Sequence, residues 1–143
     1  ENWTLASTRH IMDSSAEKII SKIMSGTTYL LAEEHGEILG ILDYGFRHKS
    51  VFGKHIVTFG LMTVKEARGR GIATALINFF IDLAQKEGFK KITIQVMGSN
   101  PAALALYNKL GFVEEGRLKK EFFIDGDYVD DCFLAFYLDK SLM

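Results

Sequence analysis

Arg68-Gly69-Arg70-Gly71-Ile72-Ala73-Thr74 stands where two periodicities meet. Upstream, His55 to Val64 is rich in β-branched and aliphatic residues and predicts a strand. Downstream, Ile72, Ala75, Leu76, Phe79, Phe80 and Leu83 recur at helical spacing, with Asp82, Gln85 and Lys86 outside that stripe and Gly88 as its stop. The segment is therefore a strand-to-helix turn. Its glycines let the backbone approach a ligand and take φ > 0, while the first helical turn offers unpaired N–H groups and about +0.5 charge. Arg68 and Arg70 add cationic donors, so the turn suits a pyrophosphate better than a single carboxylate.

Three readings compete for it. Gly69-Arg70-Gly71 begins like a dinucleotide fingerprint, but Thr74 stands where the third glycine belongs and no Asp or Glu ends the next strand to hold a ribose. A nucleoside-triphosphate loop requires a Gly-Lys-Ser/Thr ending, which is absent. A plain surface turn with two solvated arginines is the third reading, and only the rest of the chain weighs against it.

Working outward, Thr28 to Ala32 and Glu37 to Tyr44 predict a hairpin around Glu34-His35-Gly36. Before them, Ser14 and Glu17 suit a capping box, and Ala16, Ile19, Ile20, Ile23 and Met24 recur as a short amphipathic helix ending at Gly26. After the long helix, Ile92, Ile94 and Val96 alternate with Thr93, Gln95 and Met97 as a strand. Asn100 is then a favoured N-cap, Pro101 is preorganised for the first helical position, and Ala103, Leu106, Tyr107 and Leu110 share a face up to Gly111. Phe112 to Ile124 and Tyr128 to Leu138 flank Asp125-Gly126-Asp127 as a second hairpin. The expected architecture is α/β (α+β): one domain over residues 1–143, a mixed, mostly antiparallel sheet flanked by helices, with a central strand-helix-strand unit and a C-terminal hairpin.

The composition narrows the function classes. A chain of 143 residues fits one domain, and at that size roughly 68–70% of the unfolded surface can be buried. The net charge of −1 and the mixing of signs along the chain argue against nucleic acid as a partner. No apolar stretch approaches the ~20 residues of a membrane span. The single cysteine, Cys132, has no partner within the chain, and with Leu134, Phe136 and Leu138 it alternates on one strand face, as a buried thiol. The expectation is a soluble protein of a reducing cytoplasm, and a homodimer is compatible with it. Glu1 to Arg9 lacks the charged and apolar regions of a signal peptide, so a trimmed start is expected instead.

Arg68-x-x-Gly71-x-Ala73 at a strand-to-helix junction resembles the acetyl-CoA pyrophosphate motif of the GNAT acetyltransferases, Arg/Gln-x-x-Gly-x-Gly/Ala. Asn100-Pro101-Ala102-Ala103-Leu104-Ala105-Leu106-Tyr107-Asn108-Lys109-Leu110-Gly111-Phe112 resembles the second motif of that family, Asn-x-x-Ala-x-x-Leu-Tyr-x-x-x-Gly-Phe. The two stand in the family's order and spacing. The similarity covers about Thr28 to Leu138. Family members open with a further strand and helix, of which only Trp3 to Ala6 is legible as a remnant strand.

The resemblance implies acetyl-CoA as co-substrate, with no metal, lying in a V-shaped opening between the His55–Val64 strand and its parallel neighbour. The backbone of Met62, Thr63 and Val64 would pair with the pantetheine arm as an added strand pairs with a sheet edge. Arg68, Gly69, Arg70, Gly71, Ile72, Ala73 and Thr74 would hold the pyrophosphate. Asn100, besides capping its helix, would bond the pantetheine arm, and Ala103 would lie against the co-substrate beside it. The activity implied is N-acetyl transfer to a primary amine of a small molecule or peptide by direct attack.

That chemistry needs a neutral amine and a stabilised thiolate. An amine of pKa near 10.4 costs roughly 4–5 kcal/mol to present neutral at pH 7 unless the site helps. Tyr107 would, by resemblance, donate to the departing sulfur; its other reading is an amphipathic core aromatic. His55 falls where some members carry a Glu base, although a histidine at a strand entrance also serves as a plain surface residue. Gln95 falls where some peptide-acetylating members carry a Glu, and glutamine cannot act as a base. Glu33, Glu34, Asp127 and Asp130 are carboxylates that would attract a cationic amine. Gly116-Arg117-Leu118 and Gly126 to Asp130 resemble the ends of members acetylating amino acids, peptide or ribosomal-protein N-termini and polyamines. The alternative from another class is an acyl-CoA-binding regulatory module without catalysis.

Overall fold

A computed structural model of the chain describes residues 4–7 and 28–143. The helix expected from Ala16 to Met24 lies outside the described residues. Seven strands form one sheet in the order β1-β2-β3-β4-β5-β7-β6: β1 (Thr4–Ser7), β2 (Thr28–Glu34), β3 (Glu37–Phe46), β4 (Ile56–Thr63), β5 (Lys91–Met97), β6 (Val113–Ile124) and β7 (Asp127–Tyr137). Every neighbouring pair is antiparallel except β4 and β5, which run parallel. Two helices, α1 (Ile72–Lys86) and α2 (Pro101–Lys109), follow β4 and β5. The remnant strand expected at Trp3 to Ala6 is β1, which pairs with β2 through Thr4↔Glu33 to Ser7↔Leu30.

Both hairpins turn where the sequence places them. His35 and Gly36 have φ of 51° and 82°, and Asp125 and Gly126 have φ of 51° and 85°, so each two-residue turn takes the doubly left-handed form whose twist matches the flanking strands. Both helices end on a left-handed glycine. Gly88 N–H and Phe89 N–H reach back to Gln85 and Ala84 carbonyls, and Gly111 N–H and Phe112 N–H to those of Asn108 and Tyr107.

The core lies between one face of the sheet and α1. Leu30, Leu42, Val57 and Ile92 from four strands meet Ile72, Leu76, Ile77 and Phe80 of the helix, all at most 2% exposed. The expected helical stripe needs one correction. Phe79 is 46% exposed, and Ile77 with Ala84 fills the stripe instead, because the buried arc follows i, i+4, i+5 and i+8 from Ile72. Gly40 fixes how close α1 comes. A Cβ there would lie 3.0 Å from both Ile72 Cγ2 and Leu76 Cδ1, so the bare backbone of β3 admits the first turns of the helix. That approach sets the glycine-rich turn against the end of β4.

Candidate active site

β4 and β5 pair only at Ile56↔Lys91, Val57↔Ile92 and Thr58↔Thr93. Thr58 Oγ1 donates to Thr93 O at 2.9 Å and pins the last rung. Beyond it each strand continues with a different partner, β4 on β3 and β5 on β7, so the parallel pair splays into a V. A cavity of about 730 Å³ fills the opening, bordered by Phe59, Gly60 and Leu61 on one side, Ile94, Gln95 and Val96 on the other, and Asn100, Ala103 and Tyr107 at its end.

Inside the V, β4 presents a free backbone edge. Successive residues of an antiparallel ladder turn their N–H and C=O alternately to one neighbour and the other. Val64 N–H donates to Leu39 O at 2.9 Å, so Val64 and, two residues back, Met62 face β3. Thr63 and Leu61 face the opening. The expected triplet Met62, Thr63 and Val64 is thus corrected: of the three, Thr63 turns its backbone to the cleft, and the unforeseen partner is Leu61.

A second cavity of about 580 Å³ adjoins the first, sharing Asn100 and Ala103 as lining, and is walled by Thr63, Arg68, Gly69, Gly71, Ile72, Ala73 and Thr74. Gly69 and Gly71 have φ of 80° and 76°, and a Cβ on either would meet no protein atom within 4 Å. Gly71 caps α1 with its backbone alone. The first intrahelical bond is Ala75 N–H to Gly71 O at 3.0 Å, which leaves the N–H groups of Ile72, Ala73 and Thr74 without helical acceptors. The result is a set of convergent donors on open space, at the positive end of the helix dipole.

The two arginines part company. Arg68 is exposed and lines the cavity. Arg70 turns away to Glu34, with Nη2 2.7 Å from Oε2 and Nη1 3.4 Å from Oε1. The expectation that both supply cationic donors to one ligand is corrected on that geometry.

Asn100 caps α2 as expected, its Oδ1 accepting from Ala103 N–H at 3.1 Å. Among the described residues no group accepts from its amide NH2, which lies beside the cavity. Tyr107, about two turns on, stands both in the core and at the cleft. The ring is 5% exposed and packs edge-on against Phe59 and Phe112, with centroids 5.9 and 5.4 Å away. The same residue borders the opening, and burial pushes its phenol up to about 12. It therefore remains a protonated donor across the physiological range.

His55 is not brought to this site. It precedes β4 at the closed end of the V, exposed, with its carbonyl accepting from Lys90 and Lys91 N–H, whereas the cavity opens beyond Thr58 in the other direction. Gln95 is there, held at both ends of its amide: Oε1 accepts from Arg47 Nη1 at 3.0 Å and Nε2 donates to Asp131 Oδ2 at 2.9 Å. Asp131 is 5% exposed, a charge set between Val129 and Phe133 on its strand face, and that break in the apolar alternation is the signal that marks it. Among the expected carboxylates, Glu34 is engaged by Arg70, and Asp130 by Arg117 Nη1 and Lys120 N–H. Cys132 is fully buried and burial raises its thiol, as a structural residue.

A splayed parallel strand pair next to a glycine-rich helix start defines a class of acyl-CoA-handling proteins, and the comparisons agree. The model of the Acetyltransferase (GNAT) family matches residues 3–112, and the chain belongs to that family. Spermidine N(1)-acetyltransferase of Vibrio cholerae is 31% identical over 123 residues, which are 85% of this chain and 64% of that relative's length. The crystal structure of smu.2055 from Streptococcus mutans superposes with a TM-score of 0.82 at 38% identity, over 92% of this chain and 84% of the other. A phosphinothricin acetyltransferase of the same superfamily from Sinorhizobium meliloti, in complex with acetyl-CoA, gives a TM-score of 0.83 at 24% identity, over 98% and 90% of the two chains. Among the described residues no helix is long and apolar enough to cross a membrane, and no group of His, Cys, Asp and Glu is arranged to hold a metal.

Proposed function

We propose that the chain transfers an acetyl group from acetyl-CoA to a primary amine of a small molecule or peptide. The observation that carries this reading is the junction of the two cavities at Asn100 and Ala103: a phosphate-binding helix start opens directly into a cleft with a free strand edge. The residues fit the co-substrate. Ile72, Ala73 and Thr74 N–H groups with Arg68 would hold its pyrophosphate, and the backbone of Leu61 and Thr63 its amide-bearing arm. Acetyl-CoA supplies a thioester carbonyl for the amine to attack, and its sulfur leaves as a thiolate.

Tyr107 would serve that leaving group as a hydrogen-bond donor. With a phenol near 12 and a cysteine-like thiol near 8.5, outright proton transfer to the thiolate runs uphill by about three to four pH units. A hydrogen bond that strengthens as charge develops costs nothing of that kind. Gln95 supplies no base, so the amine enters neutral or loses its proton to water. Spermidine, named for the Vibrio relative, is a primary amine, which supports the acceptor class.

The test is thiol release from acetyl-CoA across a panel of diamines, monoamines, amino acids and short peptides. Amine-dependent release is expected. Binding of acetyl-CoA with no amine raising release above hydrolysis would overturn the reading in favour of a module that binds acyl-CoA without catalysis.

A further inference from the structure

We infer that Asp43, leaning across Gly60 beside the mouth of the β4/β5 opening, holds a second positive charge on the acceptor, so that the preferred substrates are diamines or larger polycationic amines. This rests on the acetyltransferase reading above.

The argument begins with sheet register. Leu42 and Tyr44 point into the core under α1, so Asp43 between them stands on the opposite face. Its partner on β2 is Tyr29, and its partner on β4 is Gly60. Across the opening, Gln95 lies two residues past the last rung on β5, as Gly60 does on β4. One transverse row therefore reads Tyr29, Asp43, Gly60, cleft, Gln95.

Gly60 makes that row a slot. A Cβ at Gly60 would sit 2.7 Å from Asp43 Oδ1, so the carboxylate already lies over the glycine backbone, tilted toward the cleft that Gly60 lines. On the far side, Tyr29 is 5% exposed, and burial first, with the Asp43 charge second, holds its phenol above the ordinary value. Among the described residues, no side chain or backbone N–H donates to Asp43. Taking a carboxylate partly out of water costs free energy, and a bound cation offsets that cost. Among the described residues, two cations of this sheet face are engaged elsewhere, Arg47 on Gln95 and Lys91 on Glu115.

The charge at Asp43 belongs to a group other than the reacting nitrogen. A carboxylate favours the protonated form of an adjacent amine, which opposes the neutral nucleophile that attack requires. Asp43 Oδ1 already lies over Gly60 of β4, and a chain added in the opening would run about 4.8 Å from β4, so a linker of about four methylenes joins the two positions. An acceptor with two ammonium groups at that separation places one on Asp43 and the other, once deprotonated, in the cleft.

The experiment compares 1,4-diaminobutane with 1-aminobutane, which differ by one charge, using the wild-type chain and Asp43→Asn. The wild type should prefer the diamine by at least about 10-fold in kcat/KM, and in Asp43→Asn the preference should collapse through a rise in diamine KM, with melting temperature and acetyl-CoA affinity held. A wild type that acetylates other amines but shows no diamine preference, or an Asp43→Asn variant that keeps it, overturns the inference alone. Failure of every amine with acetyl-CoA bound would instead remove the acetyltransferase reading on which it stands.

Discussion

Arg70 grips Glu34 from the glycine-rich turn, its Nη2 2.7 Å from the carboxylate Oε2, and so ties the turn to the end of β2. The pair holds the Glu34 carboxyl below its ordinary value, chiefly through that hydrogen bond. Arg70 thus braces the loop from behind while the backbone faces the cavity.

That division of labour predicts unequal effects on co-substrate binding. Gly71→Val adds a β-branched side chain at φ 76°, into the space that Gly71 leaves open. Arg70→Ala removes a partly exposed ion pair, for which about 1 kcal/mol or less is expected. Calorimetric titration of acetyl-CoA into both folded variants should show a far larger loss for Gly71→Val, with Arg68→Ala between them. Equal affinities would show that the backbone donors do not hold the pyrophosphate.

His55 offers the opposite kind of prediction. It sits at the closed end of the V, exposed, and its fold contribution runs through a carbonyl that any residue possesses. His55→Ala should keep kcat/KM within about 2-fold and leave the shape of the pH–rate profile unchanged, since the imidazole stands away from the cleft. Loss of the acidic limb of that profile, the fall in rate as a base is protonated, would return His55 to the mechanism.

Acid stability reports on the C-terminal hairpin. The Asp130 carboxyl is held below its ordinary 3.8, first by the Lys120 backbone N–H and then by Arg117. A depressed native pKa means the unfolded chain binds the proton more readily, so this stabilisation is fully present above pH 3.8 and is lost as pH falls through the lower native value. Asp130→Asn should therefore lower the melting temperature at neutral pH and flatten its fall on acidification below about pH 4. A variant whose melting curve parallels the wild type down to pH 2 would show that the contact is energetically silent.

Much of this was legible in the sequence because it is local. Gly36, Gly88, Gly111 and Gly126 mark turns and helix ends by backbone needs that act over a few residues, and Asn100-Pro101 announces a helix start the same way. What escaped depends on contacts across strands. Gly40 is bare because α1 lies on it, and Gly60 because Asp43 lies over it; neither reason is visible within β3 or β4 alone. The direction of each backbone group on β4 follows from its register with β3, so Thr63 and Leu61 could not be told from Met62 and Val64 before the ladder was known. Arg70 is of the same kind: its partner lies 36 residues away in the sequence.

Tyr107 stands in the core and at the cleft, and its hydroxyl alone separates a packing role from the proposed leaving-group role. Replacing it with Phe keeps the edge-on contacts with Phe59 and Phe112 and nearly all of the buried area. If packing were the whole of its function, melting temperature and turnover would both stay close to wild type. Donation to a developing thiolate is worth more in the transition state than in the ground state, so its loss should lower kcat by roughly 10²-fold while acetyl-CoA affinity barely moves. Because burial holds the phenol near 12, the wild-type donor should remain competent up to at least pH 10, and no descending limb assignable to Tyr107 is expected below that. Steady-state turnover can hide the effect behind product release, so the first acetyl transfer is measured in a single turnover. A wild-type rate for that step in Tyr107→Phe would leave the residue as a core aromatic and move leaving-group stabilisation to backbone donors of the cleft.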